Sequence, residues 1–144
     1  LHALLPVLRR QPRAFVLNVA STAAYQAVPT LTLYAASKAF LLSFSRGLRY
    51  ELRDTAVSVT CLSPGATTTD FADRAGMNAD LQATANKVSM TPEQVAEIGV
   101  RALLAGEAEV IPGALNKVSA KLTSLVPKSL TERIAAGIYE KHLK

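Results

Sequence analysis

The 144 residues contain one cysteine, two histidines and no tryptophan, and aromatic residues make up only 6% of the chain. A lone Cys61 excludes any disulfide within the chain, and its place inside the apolar run AVSVTCLSP reads as a small hydrophobe buried in a strand. His2 and His142 stand near the two ends with no partner at ligand spacing, so no metal site is expected. With no tryptophan and no base-reading motif, nucleic acid is not an expected partner. No apolar run approaches the roughly 20 residues that a bilayer-spanning helix needs. In LHALLPVLRR the positive charges follow the apolar part, the reverse of a secretory signal, so a soluble, cytoplasmic protein is the expectation. Also lacking is an initiating Met. LHALLPVLRRQ reads as the last turns of a helix with no capping residue ahead of its first apolar position, and an upstream segment is expected.

What is present is a globular composition, 49% hydrophobic and 19% charged, in a chain long enough to bury a core. The net charge of +5 is uneven: after Pro112 stand Lys117, Lys121, Lys128, Arg133, Lys141 and Lys144 against only Glu132 and Glu140. A solvated outer face on packed helices is the expected meaning, with contact to an anionic membrane surface left as the other.

The segment RAFVLNVAS is a short, nearly continuous apolar run that predicts a strand over residues 13–18, buried on both faces. A loop with Pro29 follows, and the pattern over residues 32–53 runs without proline, predicting one helix of about six turns. Its second half turns amphipathic, with Arg46, Arg49 and Arg53 alternating with Leu48 and Leu52, and is expected to emerge toward solvent. A second strand over residues 56–62 ends at Ser63-Pro64-Gly65, because Pro64 cannot donate to a sheet ladder. Strand, helix and strand make a right-handed βαβ unit, so the chain carries part of an open parallel α/β sheet. Ligands bind beyond the carboxyl ends of such strands, so ASTAAYQAVPT and SPGATTTDF should face one crevice.

Downstream, TTTDFADRAGM reads as a Thr-rich loop entering a short helix, and NADLQATANKVSM as a mobile stretch. Thr91, Pro92 and Gln94 sign the start of a helix running to residue 105. EVIPG is a minimal strand, and two amphipathic helices are expected over residues 114–126 and 129–143. Their apolar positions are Leu115, Val118, Leu122, Leu125, Leu130, Ile134 and Ile138.

In YAASKAF, Tyr34 and Lys38 stand one helical turn apart and share a face. Alone, Tyr-x-x-x-Lys recurs by chance. Here Ser21 precedes it at the end of a predicted strand, and Pro64-Gly65 with Thr67 and Thr69 ends the next. Taken singly, Tyr34 could be a surface residue, Ser21 a turn residue and 67–69 a helix cap ahead of Asp70.

Together NVAS, YAASK and SPGATTT resemble the classical short-chain dehydrogenase/reductase family over residues 1 to about 111. The resemblance implies a parallel, doubly wound, Rossmann-like sheet, of which this is the C-terminal half. Residues 1–111 would be part of a dinucleotide-binding oxidoreductase domain and 112–144 a basic two-helix extension. It also implies NAD- or NADP-dependent hydride transfer between nicotinamide and a carbonyl or secondary alcohol, in a homo-oligomer. Tyr34 would be the general acid/base, Ser21 the polariser of the carbonyl and Lys38 the ligand of the cofactor ribose. The loop of Pro64, Gly65, Thr67 and Thr69 would hold the nicotinamide carboxamide, Thr67 through its backbone and Thr69 through its hydroxyl. The chemistry is coherent: a phenol ordinarily titrates near ~10, and a neighbouring ammonium favours its phenolate. Ser21 can donate to a developing alkoxide where Ala20 cannot.

The sequence departs from the family where the phosphates would bind. None of Gly47, Gly65, Gly76, Gly99, Gly106, Gly113 and Gly137 builds the Gly-rich turn that cradles a pyrophosphate. The residue that chooses NAD or NADP is not present, nor is the Asn that the family adds to Ser, Tyr and Lys. Ala20 stands where the family usually has a first Ser. The chain is therefore expected to be half of a domain about twice as long, neither binding a nicotinamide tightly nor reducing a carbonyl by itself. Two functions remain open: the oxidoreductase, and a non-catalytic fragment or binding module that keeps the second half of the fold.

Overall fold

The computed structural model describes residues 1–69 and 89–139. Two apolar runs and one two-residue strand form a parallel sheet in the order β1-β2-β3, with β1 at Ala14–Val19, β2 at Val57–Leu62 and β3 at Glu109–Val110. β1 and β2 run in register from Ala14 opposite Val57 to Val19 opposite Leu62, and Cys61 lies opposite Glu109 of β3. The first strand begins one residue later than its pattern predicts. Arg13 turns away instead, donating to the Leu104 carbonyl at 2.9 Å with its guanidinium over the Phe15 ring.

The N-terminal helical segment is shorter than LHALLPVLRR suggests. A 3-10 turn at His2–Leu4 leads into α1 at Leu5–Leu8, with Pro6 in the first turn where its missing N–H costs nothing. Leu5 and Leu8 pack against the core of Ala14, Val16, Leu48, Leu52, Val57 and Val59.

The crossover between β1 and β2 is α2, Thr32–Glu51. Its second half is amphipathic as expected, but it does not leave the sheet. Ser45, Leu48 and the capping Leu52 are buried there, whereas Phe40, 69% exposed, stacks on Phe44 on the outer face. Two polar clamps explain the difference. Asn18 of β1 donates to Ser45 Oγ at 2.9 Å, and Ser45 passes its own proton to the Leu41 carbonyl at 2.6 Å. Arg49 donates to the Val59 carbonyl at 2.8 Å and the Gly106 carbonyl at 2.7 Å, satisfying buried acceptors with a charged donor.

On the other side of β2 lies α3, Pro92–Leu104, started by the expected capping box between Thr91 and Gln94. It approaches the sheet closely at Gly99, where an added Cβ would sit 2.7 Å from Leu62 Cδ2. Gly99→Ala is therefore expected to lower stability by about 1–2 kcal/mol in urea unfolding, the crowding outweighing the better helix propensity of alanine. A neutral or stabilising result would mean that α3 has room to move off β2.

Two further helices follow β3: α4 at Ala114–Leu125 and, after Pro127, α5 at Lys128–Tyr139. Gly113, with φ of +87°, makes the left-handed entry to α4. In these helices the apolar positions that recur at helical spacing lie largely on the outside. The small residues Ala120, Thr131 and Ala135 are the buried ones, while Leu115 and Leu125 are 76% and 81% exposed. Alanine and threonine take the inner side, which leaves the leucines outside. The short helix expected after the Thr-rich loop, most of the stretch predicted to be mobile, and residues 140–143 of the last helix lie outside the described residues. No helix among the described residues is long and apolar enough to cross a membrane.

Candidate active site

The βαβ unit brings the two loops after β1 and β2 together. The β1–β2 ladder continues past the strands: Ala20 N–H donates to the Leu62 carbonyl at 2.7 Å, and Thr22 N–H to the Pro64 carbonyl at 2.8 Å. Ser21 sits between these ties. It caps a 3-10 turn, Thr22–Tyr25, its Oγ accepting from Ala23 N–H at 3.1 Å, so its own proton remains to be donated.

Tyr34 lies in the first turn of α2, half-buried, and Lys38 one turn on. Lys38 Nζ donates to the Val19 carbonyl at 3.0 Å, which anchors the cation at the carboxyl end of β1. The same ammonium lies 5.6 Å from the centroid of the Tyr34 ring.

The loop after β2 is folded on itself and tied to the start of α3. Thr67 Oγ1 donates to the Gly65 carbonyl at 3.2 Å and Thr69 Oγ1 to the Thr67 carbonyl at 3.5 Å. Thr68 N–H and the Met90 carbonyl meet at 3.0 Å, and Met90 N–H reaches the Ala66 carbonyl at 3.1 Å. Ser21, Tyr34, Lys38, Pro64, Gly65, Thr67 and Thr69 all line one cavity of about 720 Å³. Its remaining walls are largely apolar, with Leu17, Val28, Leu31 and Val95, and α4 adds Asn116, Ser119 and Thr123.

A polar network behind Ser21 was not foreseeable from the sequence. The Tyr25 hydroxyl donates to Glu109 of β3 and lies 3.3 Å from Ser63 Oγ, and Arg46 of α2 pairs with Glu109 at 2.7 Å. These contacts join residues 38 to 84 positions apart and pin the 3-10 turn against the sheet. Burial, reinforced by the hydrogen bond to Glu109, holds the Tyr25 phenol well above its ordinary range. Burial also pushes the Cys61 thiol up, in keeping with a structural cysteine. Asn116 was likewise missed: it bonds the Pro112 carbonyl at 2.9 Å, and a Cβ on Gly65 would collide with its side-chain amide.

Tyr25→Phe is expected to cost about 1–3 kcal/mol at neutral pH, because the Glu109 carboxylate loses a donor. A phenol whose pKa is raised by folding stabilises the fold below its unfolded value of ~10 and loses that contribution as the pH climbs. Urea unfolding followed above that pH should therefore fall more steeply for the wild type than for Tyr25→Phe. Parallel curves would dismiss the coupling.

Among the described residues no group of three or more His, Cys, Asp or Glu could hold a metal ion. A family model for short chain dehydrogenases matches residues 1–80, more than half of the chain. The chain belongs to the short-chain dehydrogenase family. An uncharacterized oxidoreductase of Myxococcus xanthus is 31% identical over 139 residues, covering 94% of this chain and 51% of that protein. The parallel sheet with its flanking helices matches the Rossmann-like fold of other short-chain dehydrogenases. A 7beta-hydroxysteroid dehydrogenase superposes with a TM-score of 0.77 at 26% identity, over 94% of this chain and 52% of that one. A short-chain dehydrogenase from Sphingobium yanoikuyae, solved with NADPH, gives 0.60 at 25% identity over 81% of this chain and 46% of that one. The chain thus spans about half the length of the relatives it matches.

Proposed function

We propose that these residues form the reaction end of an NAD(P)-dependent oxidoreductase that interconverts a carbonyl and a secondary alcohol. The observation that carries this reading is the convergence of Ser21, Tyr34, Lys38 and the Pro64-to-Thr69 loop on one largely apolar cavity beyond the carboxyl ends of two parallel strands. NADPH bound to the Sphingobium relative supports the cofactor class. When bound, the nicotinamide supplies or accepts the hydride.

The donor set present fits the nicotinamide end of such a cofactor. The Lys38 ammonium has donors beyond the one given to Val19, suited to ribose hydroxyls. The Thr67 backbone and the Thr69 hydroxyl, both on the cavity wall, are suited to a carboxamide. The pyrophosphate end finds no Gly-rich turn here. In the reducing direction, Tyr34 Oη gives its proton to the carbonyl oxygen, and in the oxidising direction it takes one from the alcohol. Ser21 Oγ donates to the same oxygen, favouring the negative charge that develops there. Lys38 keeps its ammonium on the same face of α2 as the Tyr34 ring, 5.6 Å from the ring centroid, which places the ribose ligand and the proton donor side by side. The apolar walls keep water from weakening both hydrogen bonds. The exposed, stacked Phe40 and Phe44 on α2 suit a subunit contact in a homo-oligomer.

The test is consumption of NADH or NADPH by the full-length protein against a panel of aldehydes and ketones, beside calorimetric titration of residues 1–144 alone with the same cofactors. Turnover by the full-length protein with no tight binding by the shorter chain is expected. Absence of turnover with every carbonyl would favour a binding module, and micromolar binding by residues 1–144 would reveal a phosphate site among them.

A further inference from the structure

The α4 helix has two separate sides. Asn116, Ser119, Ala120 and Thr123 line the active-site cavity. Leu115, Val118, Leu122 and Leu125 recur at helical spacing and fall within an arc of about 80° at 3.6 residues per turn, on a different side. All four are more than half exposed, which leaves an apolar ridge along the outside of the helix. Lys117 and Lys121 stand on its shoulder, both exposed. α5 adds Leu130 and Ile134, also exposed, beside Lys128 and Arg133. Glu132 is the one acid among the described residues of the two helices.

We propose that α4 and α5 dock the protein on an anionic lipid surface, lying in the plane of the headgroups with the leucine ridge toward the acyl chains. Leucine and isoleucine along one stripe with lysine and arginine beside it is the pattern of an interfacial helix. It is unlike a protein–protein contact, in which aromatic residues and methionine are enriched and lysine is depleted. A second copy of the chain would set two flanks of positive balance against each other, whereas anionic headgroups complement them. Arg46, Lys117 and Lys121 line one cleft with Glu107 and Glu109, three cations against two carboxylates, so the flank keeps a positive balance. Because the opposite side of α4 lines the cavity, docking would hold the active site close to the membrane surface, within reach of an amphipathic carbonyl substrate.

The test is co-sedimentation of the full-length protein with vesicles of phosphatidylcholine alone and of phosphatidylcholine containing phosphatidylglycerol. Binding to the anionic vesicles only, released by salt, is expected. Lys117→Gln/Lys121→Gln should weaken it by about fivefold for each lysine removed. Leu115→Gln/Leu125→Gln should abolish it while circular dichroism and turnover in solution stay unchanged, because both residues are exposed and neither lines the active-site cavity. No binding to anionic vesicles, or equal binding to both kinds, overturns the proposal. So does a dimer that the leucine double variant splits, which would make the ridge a subunit contact.

Discussion

If the proposed mechanism holds, replacing Tyr34 by phenylalanine in a form of the protein that carries the complete dinucleotide-binding domain is expected to lower turnover by about a thousandfold, within the range that a positioned acid or base contributes. The ring and its place beneath Lys38 survive the change, so cofactor affinity should hold to within about threefold. That split distinguishes a proton donor from a wall residue, whose loss would raise KM and spare kcat. Steady-state kinetics with a fluorescence titration of the reduced cofactor measures both quantities. Unchanged turnover would remove Tyr34 from the chemistry and leave its contact with Lys38 as packing.

Lys38→Met is expected to damage both quantities at once. Its ammonium is anchored on the Val19 carbonyl at 3.0 Å and lies over the Tyr34 ring, so in the proposed mechanism one group would serve the cofactor and the acid/base together. Turnover should fall by about a hundredfold and cofactor affinity by about tenfold, the size of a lost charge-assisted hydrogen bond. Lys38→Arg should recover little, since a planar guanidinium cannot reproduce a compact ammonium at a single carbonyl. A variant that loses turnover with cofactor affinity intact would confine Lys38 to the proton chemistry.

The parallel sheet and the crossover were legible in the sequence because buried strands and proline-free helices leave strong periodic marks. The capping box at Thr91 was legible for a similar reason: it is written within four consecutive residues. What could not be read depends on distance along the chain. Nothing near Tyr25 announces Glu109, and nothing near Gly65 announces Asn116, because each pair meets only after the sheet has formed. The stripe of α4 and α5 was legible as a pattern, but its exposure was not. Periodicity marks an apolar face without saying whether that face is buried, and here alanine and threonine took the inner side. The candidate site lies between these cases. Ser21, Tyr34, Lys38 and the Pro64-to-Thr69 loop were singled out by motif, and the fold sets all seven around one cavity.

The measurement closest to the centre of this account is a crystal structure of the full-length protein with an oxidised cofactor and a carbonyl-bearing ligand. A single ligand oxygen within about 3 Å of both Ser21 Oγ and Tyr34 Oη, with Lys38 Nζ on the ribose, is the expected result. A carbonyl oxygen held by other groups, with the two hydroxyls turned toward different parts of the cavity, would contradict it.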